Sequence, residues 1–142
     1  MNVVPFKAAD LYALDLQDGQ AYLSSWVTPE QGQALEKTDW AYTAVINNAP
    51  IACAGVIPMW QGRGMAWAYL SKQAARENFL GVHRAVARFL EACYLQRIEM
   101  TVDCDFEQGH RWAHMLGFEM EAECMKAYRP DGGDCALYAR VL

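Results

Sequence analysis

From Asp10 to Leu16 and from Gln20 to Trp26, apolar residues fall three or four positions apart, the spacing of one helix face. Val3, Val4 and Phe6 ahead of them read as a short strand. Pro5 places that strand at a sheet edge, because proline has no N–H to give to a ladder. Thr28-Pro29-Glu30-Gln31 predicts a further helix start, with Thr28 as cap, Pro29 in the first turn and Gln31 closing a capping box. That helix should stop near Lys37.

At Trp40 the period shortens. WAYTAVI (40–46), IACAGVIPM (51–59) and MAWAYLS (65–71) are β-rich runs. Asn47-Asn48-Ala49-Pro50 turns the chain between the first two, and Gln61-Gly62-Arg63-Gly64 between the last two. Val82, Val86, Phe89, Leu90 and Cys93 then form one apolar stripe, predicting a helix over 80–95, with Arg84 and Arg88 on another face. RIEMTVD (97–103) alternates, with Ile98, Met100 and Val102 on one side, so it is a strand. Asp105 with Gln108 resembles a second capping box, opening a helix that Gly117 ends. EAECMKAY (121–128) and DCALYARVL (134–142) are closing strands around the turn Arg129-Pro130-Asp131-Gly132-Gly133. The predicted class is α+β: one domain over 1–142, with a mixed, mainly antiparallel sheet flanked by helices. The 80–95 helix serves as its right-handed crossover.

Composition narrows the function classes. The chain has 142 residues, more than half of them apolar, which suits one globular domain with a full core. No run of about eighteen apolar residues predicts a membrane span. The opening MNVVPFKAADLYALDL lacks the layout of a signal peptide, so the expected location is cytoplasm, a bacterium's own or an infected cell's. A net charge of −5 argues against nucleic-acid partners. Yet six of the twelve basic residues (Arg63, Lys72, Arg76, Arg84, Arg88, Arg97) lie in one segment with only Glu77 and Glu91 of the seventeen acids. That imbalance suits a small anionic ligand. The five cysteines form no C-x-x-C pair, which predicts neither a disulfide framework nor a zinc knuckle but small buried thiols. His110 and His114, four apart, could present two nitrogens to a metal, but no third ligand is evident and no metal is expected.

The element order, with RIEMTVD…HRWAHMLGFEMEAE at its close, resembles the GCN5-related N-acetyltransferase (GNAT) superfamily, chiefly over residues 51–142. More narrowly, AGVIPMW, LGVHRAV, HRWAHMLGF and AYRPDGGDCALYARV resemble small phage proteins of the internal-virion-protein-A-like group with a GNAT-like fold. The resemblance implies an acyl-CoA-dependent N-acetyltransferase using acetyl-CoA and an amine-bearing small molecule or protein as acceptor. The alternative it leaves open is a non-catalytic phage protein, without cofactor, that acts in virion assembly or binds a host protein. A homodimer and a place in the virion stay open with it.

In the superfamily, Q/R-x-x-G-x-G/A holds the coenzyme A pyrophosphate, and Gln61, Gly64 and Ala66 of WQGRGMA fit that pattern. From Gln61 to Arg97 is 36 positions, too many for one crossover helix. WQGRGMA is therefore read as a hairpin turn, MAWAYLS as the fourth strand, and Lys72–Leu80 as the cofactor loop. That loop has no G-x-G and is degenerate. By resemblance, the cofactor would be held at Leu70, Ser71, Lys72, Arg76, Phe79, Leu80, Gly81 and Arg84: helix-start amides and cations for phosphate, and a strand amide near Tyr69 or Leu70 for the thioester carbonyl. Ala113 stands where family members often carry a tyrosine acid. The catalytic candidates are Asp105, His110 and Tyr69, with direct transfer from thioester to amine and no covalent enzyme intermediate. Trp60, Trp67, Tyr69, Trp112 and Tyr128 either pack the core or ring a cleft.

Overall fold

The computed structural model describes residues 1–142. Its elements are β1 (Asn2–Pro5), α1 (Ala8–Tyr12), a 3-10 helix (Asp18–Ser25), α2 (Pro29–Glu36), β2 (Ala41–Ile46), β3 (Ala49–Trp60), β4 (Arg63–Leu70), α3 (Lys72–Arg76), α4 (Phe79–Ala92), β5 (Arg97–Asp103), α5 (Glu107–Met115), β6 (Glu119–Met125) and β7 (Cys135–Val141). The strands form one sheet in the order β1-β2-β3-β4-β5-β7-β6, with β1 at an edge as Pro5 requires. β1–β2, β2–β3, β5–β7 and β6–β7 are antiparallel, and β4–β5 is parallel. The fold is thus α+β, with a mainly antiparallel sheet flanked by helices.

Contacts divide the chain into two compact units, Met1–Ile57 with Trp67–Cys93, and Pro58–Ala66 with Tyr94–Leu142. In the first, α2 starts as its sequence dictates: Thr28 Oγ1 accepts from the Gln31 amide at 3.3 Å and Gln31 Oε1 from the Thr28 amide at 3.1 Å. Phe6, Leu11, Ala41 and Cys53 are buried together, with Leu14, Val27, Leu35, Trp67 and Tyr69 packed against them. The rings of Trp40 and Tyr42 meet Phe89 of α4, and Val82, Leu90 and Cys93 of its stripe are buried.

Three boundaries in this unit differ from expectation. The 10–16 helix shortens to Ala8–Tyr12 because Leu16 is drawn into a bridge with Ser71. The 20–26 helix is a 3-10 helix without a buried residue, so no apolar face holds it in the α form. The Asn47–Pro50 turn contracts to Asn47-Asn48, both at positive φ (52° and 64°), a two-residue hairpin geometry that asparagine tolerates. β3 consequently starts at Ala49.

In the second unit, Gln61-Gly62 turns the chain between β3 and β4, with Gly62 at φ 84°. Its carbonyl accepts from the Arg97 amide at 2.9 Å. WQGRGMA is a turn, as the spacing implied. Gly64 lies inside β4 opposite Ile98, and Arg63 covers the Trp60 ring at 4.2 Å. Gly117, at φ 86°, ends α5, and the Phe118 amide reaches back to the Ala113 carbonyl at 3.0 Å. The Asp105 capping box does not form. The N-cap is Phe106, which makes no side-chain cap bond, and Asp105 sits exposed in the turn before it.

Candidate functional site

The cofactor positions all lie in the first unit, where β4 runs out into α3 and α4. Ser71 caps α3: its Oγ accepts from the Ala74 amide at 3.1 Å and its own amide donates to the Ile51 carbonyl at 2.9 Å. Ser71 is buried, so its polar groups are committed to the fold rather than offered to a ligand. Lys72 Nζ lies 3.7 Å from Asp15 and Arg76 Nη2 3.9 Å from Asp18, two exposed pairs of small energetic weight. The expected loop 72–80 is therefore partly helical, and its cations face acids from the segment after α1. Arg84 is exposed on α4.

The start of α4 is the second helix start in this segment. Its N-cap, Asn78, makes no side-chain cap bond. Asn78 Oδ1 is itself buried without a partner. Leu80 is exposed, and a β-carbon on Gly81 would lie 3.3 Å from Met1 Sδ, so the N-terminal residue already stands over this turn.

The strand amide assigned to a thioester carbonyl is not free. The Leu70 amide donates to Gln20 Oε1 at 3.0 Å, and Gln20 Nε2 donates to the Ala68 carbonyl at 2.7 Å. A single primary amide thus satisfies β4 as a neighbouring strand's peptide would. Gln17 secures Gln20 Oε1 at 2.9 Å, and backbone bonds from Gln17 to Leu70 and from Lys72 to Asp15, both 2.9 Å, extend the pairing. The same strand sends Tyr69 and Trp67 into the core cluster, with ring centroids 5.7 Å apart. Burial and then the nearby Cys53 raise the Tyr69 phenol above its ordinary range, which keeps it protonated: a donor, not a base. Thr43 Oγ1 donates to Asp10 Oδ2 at 2.8 Å in the same unit, and Trp67 Nε1 is buried without a partner.

The second unit holds the other catalytic candidates. His110 is clamped, with Nε2 3.0 Å from the Cys104 carbonyl and Nδ1 2.7 Å from the Tyr138 hydroxyl. A carbonyl only accepts, so in the neutral ring Nε2 carries the proton and Nδ1 accepts from Tyr138. The lone pair that a general base would use is spent on a fully buried tyrosine, whose pKa burial raises. The same two bonds occupy both nitrogens that a metal reading would need, and His114 packs edge-on against Tyr138. Ala113 is fully buried, leaving no space for the tyrosine that family members often carry there.

Two of the arginines that made the middle segment look basic are spent as well. Arg63 forks onto Glu99 at 3.1 and 2.7 Å, and Arg97 bridges Glu99 and Glu121. Sequence reasoning missed Gln20, Glu99 and the pairing of His110 with Tyr138. Each partnership joins residues between 28 and 50 positions apart, and a local pattern carries no signal for that. Trp60 and Tyr128 are exposed rather than core.

No protein-family model matches the sequence, and no curated protein matches it either. Solved structures do. Over 99% of this chain and 97% of the other, the protein is similar to Ard1 from Thermoplasma volcanium, with a TM-score of 0.81 at 12% identity. Ribosomal-protein-alanine N-acetyltransferase from Brucella melitensis matches over all of both chains, with a TM-score of 0.78 at 16% identity. A GNAT-family acetyltransferase from Streptococcus pneumoniae matches over 99% of each chain, at 0.71 and 14%. At these identities the likeness is one of architecture, and on that ground the protein has the fold of the GNAT acetyltransferases.

Proposed function

We propose that the protein is an acyl-CoA-dependent N-acetyltransferase. The observation that carries this reading is the start of α4, a fourteen-residue helix whose first amides lack a side-chain cap, placed directly after β4 and α3. Those amides and Arg84 would hold the pyrophosphate, with Arg76 released from its weak pair to Asp18. Acetyl-CoA would supply the activated thioester to an acceptor amine. Tyr69, protonated, is the candidate donor toward the leaving group. His110 serves as a positioning residue for the turn before α5. The acceptor would be a small-molecule or protein amine, and the resemblance of AGVIPMW, LGVHRAV, HRWAHMLGF and AYRPDGGDCALYARV to phage proteins supports a phage origin and work in an infected cell's cytoplasm.

A second reading has its own support. Gln20 occupies the β4 amide and carbonyl that a cofactor arm would need, and Ala113 fills the usual tyrosine position. Both favour a non-catalytic phage protein that keeps the fold and acts by binding a host or virion protein.

Calorimetric titration with acetyl-CoA and with desulfo-CoA separates the two. The enzyme reading expects micromolar binding, lost in Arg76→Glu/Arg84→Glu and strengthened about tenfold in Gln20→Ala, which clears the strand edge. Absence of binding by both the intact protein and Gln20→Ala would end the enzyme reading. Binding that survives the double substitution but fails in Gly64→Val would return the anion site to WQGRGMA.

A further inference from the structure

Cys104 and Cys124 approach one another with their sulfurs 3.6 Å apart, although 20 residues separate them. Cys104 follows the last residue of β5, where its amide continues the ladder onto the Asp134 carbonyl at 3.0 Å. Cys124 lies in an irregularity of β6. Ala122 stands opposite Leu137 and Met125 opposite Cys135, so β6 has one residue more than β7 over that stretch. Such a bulge re-aims a side chain out of the ordinary alternation, and here it turns Cys124 toward Cys104.

We propose that Cys104 and Cys124 form a thiol–disulfide exchange site that takes low-molecular-weight disulfides as its oxidant. Cys124 is the exposed member and the point of entry. Lys126 Nζ and Cys124 Sγ each lie 3.5 Å from Asp134 Oδ2. The Lys126 ammonium and the Asp134 carboxylate therefore both stand beside Cys124. Cys104 is less exposed; burial, followed by its bond to Cys124, raises its thiol above the ordinary range. Asp134 and Asp105 add to that effect.

The steps balance. The Cys124 thiolate attacks one sulfur of RSSR, forming a mixed disulfide and expelling RS⁻. Cys104 then gives up its proton and attacks the Cys124 sulfur. The internal bond forms, and the second RS⁻ leaves and takes up a proton. Two protein thiols are oxidised and one external disulfide becomes two thiols. Bonded sulfurs lie about 2.05 Å apart, so the pair must close by roughly 1.5 Å. Cys104 lies in a turn and Cys124 in a bulge.

The other three thiols are poor competitors. Cys53, Cys93 and Cys135 are buried. Burial pushes Cys53 up to about 12, and burial with a bond to Asp103 Oδ1 at 3.3 Å does the same to Cys135. The internal bond would also be felt beyond the pair, because the Cys104 carbonyl is the partner of His110 Nε2.

The test uses the intact protein and oxidised glutathione under native conditions, followed by intact mass, peptide mapping and a free-thiol count. Wild type is expected to lose two of its five thiols. Its mass should fall by two hydrogens, and one cross-linked peptide should contain Cys104 and Cys124. Cys104→Ser should trap a single glutathione on Cys124, and Cys124→Ser should react at least tenfold more slowly. Glutathione retained on wild-type Cys124 without internal closure would overturn the proposal, as would a cross-link through Cys135 or no reaction while all five thiols react in denaturant.

Discussion

Glu99 is a charge in the middle of β5, on the face opposite Ile98 and Val102, and it is as buried as they are. Alternation in RIEMTVD marks that face as polar and suggests water. Instead Arg63 and Arg97 enclose the carboxylate, and bonds from Arg63 first hold its pKa below the ordinary range despite burial. A depressed folded pKa means stability present above the unfolded value, about 4.3 for glutamate, and lost as pH falls through the folded value. Melting curves should therefore show wild type losing stability below about pH 4.3 more steeply than Glu99→Gln. At pH 7 that variant should be less stable by roughly 2 kcal/mol, the worth of hydrogen bonds to a charged group. Parallel acid limbs for the two proteins would refute the account. His110 teaches the same lesson from the other side: a histidine at the start of a helix looks available in sequence, and its neighbours consume both nitrogens.

At the scale of the element, the edge of β4 decides most. Asp15 and Gln20 are expected inside helices over 10–16 and 20–26; instead Asp15 and Gln17 pair with Lys72 and Leu70, and Gln20 completes the ladder. Gln20→Ala leaves the Ala68 carbonyl and the Leu70 amide unpaired and should cost about 1–3 kcal/mol. Faster hydrogen exchange at the Leu70 amide, by tenfold or more, would be its local signature, and unchanged exchange would show that the side chain does not hold the edge. A second element-scale prediction concerns the end of α5. A β-carbon on Gly117 would meet nothing within 4 Å, so Gly117→Ala suffers only from its positive φ of 86°. The expected loss is about 1 kcal/mol in chemical denaturation, with the fold kept. A larger loss would point to a packing role that the geometry lacks.

For the whole molecule, the net charge is −5, and Arg63 and Arg97 are paired with Glu99 and Glu121. Under the enzyme reading, saturating acetyl-CoA stabilises the folded state by about 2.7 kcal/mol at a hundredfold excess over its dissociation constant, and thermal unfolding should shift upward accordingly. Arg76→Glu/Arg84→Glu should abolish that shift without lowering the ligand-free melting temperature by more than a few degrees, since both side chains are exposed. A shift that persists in the variant would place the ligand elsewhere.

What the chain determines by itself is what short-range chemistry controls. Thr28 to Gln31 starts a helix, Asn47-Asn48 and Gln61-Gly62 turn strands, alternation makes 97–103 a strand, and Gly117 stops a helix. Each depends on neighbours a few residues away, and counting positions from Gln61 to Arg97 was enough to set aside a plausible phosphate motif. Tertiary structure alone decided which polar groups remain available. Gln20 meets Ala68 48 residues away, Arg63 meets Glu99 36 away, His110 meets Tyr138 28 away, and two cysteines read as buried thiols meet across 20. Backbone propensity and hydrophobic period act along the chain, whereas hydrogen bonds and charge pairs act through space, and a candidate site is made of the latter.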